Sequence, residues 1–230
     1  RKANDTWRLG DFNHSRPAVV TYDAGPGFAA YIFAGANDGM LHCFNDADGE
    51  EAWAFVPAEQ FGRLKELFSN EHAYFMDGSP AITETADGCK ILVCGERRGG
   101  NHYYAIDISD IDRPHYLYTH TIEGQSWKTP QFMRIATGPQ TRLEVFLVSG
   151  GYDPALDGDH PADVGRCVYT INAVSGEKQG LFVDSDDFDA MSCIVSASGL
   201  DVMDDGLFVV NQIYAADMAG HLFAFRDNND

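Results

Sequence analysis

The sequence predicts an all-β fold built from one repeated antiparallel unit, and three observations carry that reading. Residues 35–55, GANDGMLHCFNDADGEEAWAF, read as a turn, a short apolar strand, a second turn and another strand. The same unit can be laid over the chain four times. No apolar run approaches the roughly 18 residues needed to cross a bilayer. Short antiparallel strands repeated in this way describe the blades of a β-propeller.

Each blade can be justified in order. First strands begin near a Ser or Thr and usually a Pro: 15–20 (SRPAVV), 79–82 (SPAI), 129–132 (TPQF) and, with the Pro lost, 198–202 (SGLDV). Second strands are 31–34 (YIFA), 91–94 (ILVC), 145–148 (VFLV) and 213–216 (IYAA). Third strands are 41–45 (LHCFN), 103–107 (YYAID), 168–172 (VYTIN) and 222–226 (LFAFR). Asn37-Asp38-Gly39 marks a tight turn before the first of these, because Asn and Gly tolerate the positive φ that a tight hairpin demands. Fourth strands follow Gly49, Arg113-Pro114 and Gly176, and Ser175-Gly176-Glu177 mirrors Asp48-Gly49-Glu50. The blades span roughly residues 11–57, 73–122, 126–183 and 196–230, within one propeller domain or a piece of one. Phe33, Phe44, Trp53, Phe146 and Phe225 are the expected buried aromatics.

The modules are longer than the about 40–50 residues of an ordinary blade, so the excess is insertion. Residues 57–68 (PAEQFGRLKELF) place Phe61, Leu64, Leu67 and Phe68 at helical spacing after a Pro, which predicts a short amphipathic helix whose apolar stripe joins the core. Residues 152–165 (YDPALDGDHPADVG) form an irregular acidic loop. The last module stops after its third strand, while Trp7-Arg8-Leu9 resembles an outer strand. That strand either closes a small ring or belongs to a preceding blade. The start at Arg1 rather than Met reads as a mature or excised piece.

Asp and Glu total 35 against 16 Lys and Arg, a formal charge of −19. A chain this acidic repels nucleic acid. Carboxylates in Gly- and Asn-rich loops favour a hard cation such as calcium, with a solvated acidic surface as the plainer account. Asp201, Asp204, Asp205 and Asn211 could gather oxygens about 2.4 Å from such an ion. Asp153, Asp157, Asp159 and Asp163 are a second candidate set without regular spacing. Phe188 and the missing Gly spoil a calcium loop at Asp184, Asp186, Asp187 and Asp189. Five cysteines is an odd number. A strand between Cys89 and Cys94 would hold their Cα atoms about 16 Å apart, too far for a disulfide. Buried thiols are the better reading, and no CxxC spacing occurs.

His42 and His221 follow turn glycines at equivalent or neighbouring places in two modules, which argues for packing at the blade turn. His14, Ser15 and Asp11 lie within five residues, so a local turn network fits them better than a catalytic triad. The run Arg97-Arg98-Gly99-Gly100 is the one basic spot. It reads as a flexible, exposed loop, although it could touch a partner carboxylate.

Several of these segments together carry a family resemblance. They are Leu9-Gly10-Asp11 with His14-Ser15 and Pro17, GANDGMLHCF, Gly49-Glu50, Trp53-Ala54-Phe55-Val56-Pro57, and HAYFMDGSP at 72–80. Further on come Gly99-Gly100 with YYAID, Gly150-Gly151-Tyr152, and Tyr214-Ala215-Ala216-Asp217 with Gly220-His221-Leu222. In this order they closely resemble the β-propeller domain of the PilY/PilC type IV pilus tip adhesins. The resemblance implies a non-enzymatic binding module at the cell surface or pilus tip, with minor pilins and a host or abiotic surface as partners. It also implies calcium, because the family often carries a D-x-[DN]-x-D-G-x-x-D loop just before the strand that matches 214–216. Here Met203 stands where that loop wants an oxygen, and further propeller sequence follows in the family where this chain ends. Two other classes stay open. Gly49-x-x-x-Trp53 also resembles the blades of PQQ-type quinoprotein dehydrogenases, which would need a cofactor cavity with a Trp floor. A structural spacer is the third.

Overall fold

The computed structural model describes residues 9–69, 71–138, 141–158, 160–183, 192–200 and 210–226. Its strands form four antiparallel sheets, one after another along the chain. Blade one is β1 (Ala18–Asp23), β2 (Phe28–Gly35), β3 (Leu41–Asn45) and β4 (Glu51–Phe55). Blade two is β5 (Ala81–Glu84), β6 (Lys90–Gly95), β7 (His102–Asp107) and β8 (His115–Thr121). Blade three is β9 (Gln131–Gly138), β10 (Thr141–Ser149), β11 (Cys167–Asn172) and β12 (Lys178–Val183). Blade four holds three strands among the described residues, β13 (Ile194–Leu200), β14 (Gln212–Asp217) and β15 (Leu222–Arg226). Within each sheet the strands lie side by side in chain order, the meander of a propeller blade.

Local chemistry sets the registers. Gly49 and Gly176 sit at φ 72° and 74°, so the two mirrored tripeptides close the same turn at the foot of their third strands. In both, the residue that ends the third strand donates its N–H to the residue after the glycine: Asn45 to Glu50 at 2.9 Å, Asn172 to Glu177 at 2.8 Å.

The core lies between the blades. Alternate residues of one strand face opposite neighbours. Leu92 and Cys94 pack towards blade one with Phe33, Leu41 and Cys43. Ile91 and Val93 pack towards blade three with Phe146, Val148 and Tyr169. Val145 and Leu147 then turn to Ile194, Ile213 and Ala215 of blade four. This is why 91–94 and 145–148 are continuously apolar: both of their faces are covered.

Three sequence expectations need correction. Residues 57–68 form not one continuous helix but two short 3-10 helices, Ala58–Gln60 and Leu64–Phe68. Their aromatic stripe is outside: Phe68 is 92% exposed and Phe61 60%. Polar anchors dock the segment instead. Buried Gln60 donates to the Glu96 carboxylate. Arg63 donates to the carbonyls of Gly99 and Tyr74 and lies over the Phe75 ring at 4.9 Å. Among the aromatics, Phe33 and Phe146 are buried as expected, but Phe44, Trp53 and Phe225 are half-buried. Phe44 faces away from blade two and stacks on His42, while Trp53 and Phe225 pack onto the core from edge strands. The local network expected at 11–15 is replaced by long-range ties. His14 pairs with Asp77, Asp11 with His72 and Asn37, and Ser15 accepts the Gly35 N–H.

All five cysteines are free thiols, four of them buried. Burial pushes the Cys43 thiol up to about 12. Cys167 also rises to about 12, from burial and its hydrogen bond to Glu123. Both are unreactive at neutral pH. Trp7 lies outside the described residues.

Candidate functional site

Antiparallel order brings every connection from a second to a third strand, and every crossing to the next blade, to the same end of the molecule. At that end each blade buries one carboxylate at or just past the end of its second strand: Asp38, Glu96, Asp153 and Asp217. A buried carboxylate is costly unless its oxygens are hydrogen-bonded, and each of these is used to tie its connection down. Asp38 accepts the Gly10 N–H at 2.8 Å and the Met40 N–H at 3.2 Å. Glu96 accepts Tyr104 Oη at 2.7 Å and the His102 N–H at 3.0 Å. Asp217 accepts N–H groups from Ser192, Ala219 and His221. Asp153 accepts the Ala155 N–H at 2.9 Å and that of Asp163 at 2.7 Å.

Three of the four also hold a histidine. His42 Nε2 lies 3.1 Å from Asp38, while its Nδ1 lies 2.6 Å from Glu51. His102 Nδ1 is 2.9 Å from Glu96, and His221 Nδ1 is 2.9 Å from Asp217. Two of these pairs share one spacing, Asp38 to His42 and Asp217 to His221. The sequence reading saw the matching histidines but missed their acids. That four-residue offset, repeated in two modules, was the available signal.

The hydrogen bonds lower the pKa values of Asp38, Asp217 and Asp153. For Asp38, burial would raise the pKa, but His42 and the Gly10 N–H outweigh it and hold the carboxyl below its ordinary value. Asp217 is likewise lowered against its burial, by the Ser192 N–H and His221. For Asp153 the Ala155 N–H is the main cause of a lowered pKa. These groups are saturated anchors that keep the loop end rigid.

On this frame stands a set of stacked rings and cations. Arg97, the one non-glycine residue with positive φ among those described (52°), sits in a 3-10 turn, Arg97–Gly99. Its guanidinium is 4.8 Å from the Trp127 ring centroid, and that of Arg98 is 5.3 Å from Trp127 and 5.7 Å from Tyr74. Trp127 in turn stacks on Tyr152 at 4.6 Å. The run read as a flexible loop makes close contacts with its neighbours. Ser126 Oγ accepts the N–H groups of Glu96 and Arg97, and Gly99 lies so close to the Phe75 backbone that a Cβ there would meet the Phe75 oxygen at 1.7 Å. At the opposite end, a cleft of about 540 Å³ between blades two and three is lined by Asp87, Arg134, Arg142 and Glu144, whose charges cancel.

Comparison with known proteins follows the same lines. The family model described as the PilY1 beta-propeller domain matches residues 14–121, the first two blades. The chain is 30% identical over 164 residues to the type IV pilus biogenesis factor PilY1 of Pseudomonas aeruginosa. It is 29% identical over 213 residues to a PilY1 homolog of Xylella fastidiosa, covering 86% of this chain. The crystal structure of the Pseudomonas aeruginosa PilY1 C-terminal domain superposes with a TM-score of 0.65 at 25% identity, over 86% of this chain and 38% of that one. This propeller is similar to that of PilY1. The chain spans 14% of the length of each of these two curated relatives.

On this propeller the predicted metal residues are placed as follows. Asp201, Asp204 and Asp205 lie outside the described residues, as do Asp159, Asp184, Asp186, Asp187 and Asp189. Asn211 precedes β14, its N–H donating to the Leu200 carbonyl at 3.3 Å. Asp153 is the loop anchor already described, Asp157 accepts the Tyr152 hydroxyl at 2.6 Å, and Asp163 is exposed. Among the described residues no three His, Cys, Asp or Glu side chains converge as a metal would need. No helix among them is long and apolar enough to cross a membrane.

Proposed function

We propose that this chain is a non-catalytic binding module of a type IV pilus tip adhesin or pilus-biogenesis factor, carried at the cell surface or beyond it. The single supporting observation is the likeness to the PilY1 C-terminal domain over 86% of the chain, which joins fold and sequence in one collinear match. The blades supply a rigid scaffold, and the inserted segments at the loop end supply the variable contacts. Minor pilins and a host or abiotic surface are the partners in this reading, with adhesion and pilus extension as the outcome.

Calcium belongs to the same proposal, with Asp201, Asp204, Asp205 and Asn211 as its ligands; the support is the carboxylate density of that stretch. Calorimetry with calcium and then EDTA tests it. Binding should raise the melting temperature by mass action, and no heat with no shift removes the site. For the function, deletion of the parent gene should reduce piliation, twitching or surface attachment. A deletion strain that stays fully piliated and adherent but loses an alcohol or sugar oxidation would replace this reading with the quinoprotein one.

A further inference from the structure

We infer that Arg97 and Arg98, held by Trp127 and Tyr74, form a docking site for a carboxylate-bearing segment of a protein partner. Carboxylates outnumber Lys and Arg by 35 to 16, yet neither guanidinium makes an ion pair among the described residues. Among the described residues Arg97 Nε is buried with no hydrogen-bond partner, a state that normally calls for one.

The stacking explains what the pair is prepared for. A guanidinium lying on an aromatic ring uses its face and leaves its in-plane N–H donors pointing sideways. Those donors match the two oxygens of a carboxylate, which they bind as a fork. One side of the Trp127 ring is taken by Tyr152, and both guanidinium groups lie over the same ring system. The ring therefore serves to hold the cations in place.

The support beneath is equally fixed. Trp127 Nε1 donates to Gln125 Oε1 at 3.0 Å, and the Gln125 and Tyr152 backbones exchange hydrogen bonds of 2.7 and 2.9 Å. Little side-chain freedom is left to lose on binding, which favours affinity.

Charge selects the partner class. At −19 the molecule repels an extended polyanion, because most of its surface opposes one. One or two acidic side chains, brought to a local cationic spot, avoid that repulsion beyond a screening length of about 10 Å. Arg, Tyr and Trp in one patch are also the residues that dominate protein interfaces.

The test uses the intact chain, tryptophan fluorescence and three probes: a short Asp/Glu-rich peptide, the same peptide with Asn/Gln at every acid, and heparin. The acidic peptide should change the emission and bind about tenfold more weakly to Arg98→Gln than to the parent. Its affinity should fall with added salt, and Arg97→Lys with Arg98→Lys should retain part of the binding. Arg98 is exposed, so Arg98→Gln should melt with the parent, and melting curves check this. Equal binding of the neutral peptide, no binding of the acidic one, unchanged affinity in Arg98→Gln, or stronger binding of heparin than of the peptide would each overturn the assignment.

Discussion

His42 has no exposed side-chain surface and lies between two carboxylates, 2.6 Å from Glu51 and 3.1 Å from Asp38. Burial alone would lower its pKa, but the hydrogen bonds to Asp38 and Glu51 outweigh that and raise it. With both ring nitrogens on carboxylates, the doubly protonated ring is the form that satisfies them. The stability it contributes is thus present in full below its unfolded pKa of about 6.5 and is lost as the pH rises through the higher folded value. Asp38 runs the other way. Its folded pKa is depressed, so its contribution is present above about pH 3.9 and is lost as the pH falls through the folded value. His42→Gln should therefore lower stability most between about pH 4 and 6.5, by roughly 3–5 kcal/mol as for other broken buried pairs. Circular-dichroism melts of parent and variant across this range would show the gap narrowing towards alkaline pH. An equal gap at acid and alkaline pH would remove the charge from the account.

At the scale of an element, the segment between blades one and two behaves contrary to its pattern. Phe61, Leu64, Leu67 and Phe68 are spaced for a helix, yet the backbone forms two 3-10 turns held by Gln60 and Arg63. Phe68→Ser should then change the unfolding free energy from urea titration by no more than about 0.5 kcal/mol, as for an ordinary surface position. A loss of several times that amount would return the stripe to the core. The strands were far easier to read. Third strand 41–45 was predicted at its observed bounds, and 222–226 likewise, because Gly and Asn/Asp turns bracket short apolar runs and act over a few residues. The fourth blade's first strand, expected at 198–202, instead starts at Ile194. What stayed hidden depends on distance along the chain. His14 meets Asp77, Gln60 meets Glu96, and Arg98 meets Tyr74 across 63, 36 and 24 residues, and no local pattern encodes such meetings. The same holds for the basic spot, whose sequence shows charge but not the tryptophan beneath it.

For the whole molecule, what matters is that apolar packing joins neighbouring sheets. Phe146 lies 1% exposed between blades two and three, beside Phe132 at 5.9 Å. Phe146→Ala should cost about 3–5 kcal/mol, in the usual range for a buried phenylalanine. Because the cavity would open onto both blades, hydrogen exchange should quicken in β6 and β7 as well as in β10 and β11. Quickening confined to blade three would mean that each sheet stands alone. The arrangement also decides how the propeller yields to tension. Hydrogen-bond ladders run within a blade, and most of what crosses between blades is side-chain packing. A pull on the chain should part the molecule at those seams and release one sheet at a time. Each release of 33 to 53 residues would lengthen the chain by on the order of 110–190 Å, so the molecule would give way in steps and absorb work at each one.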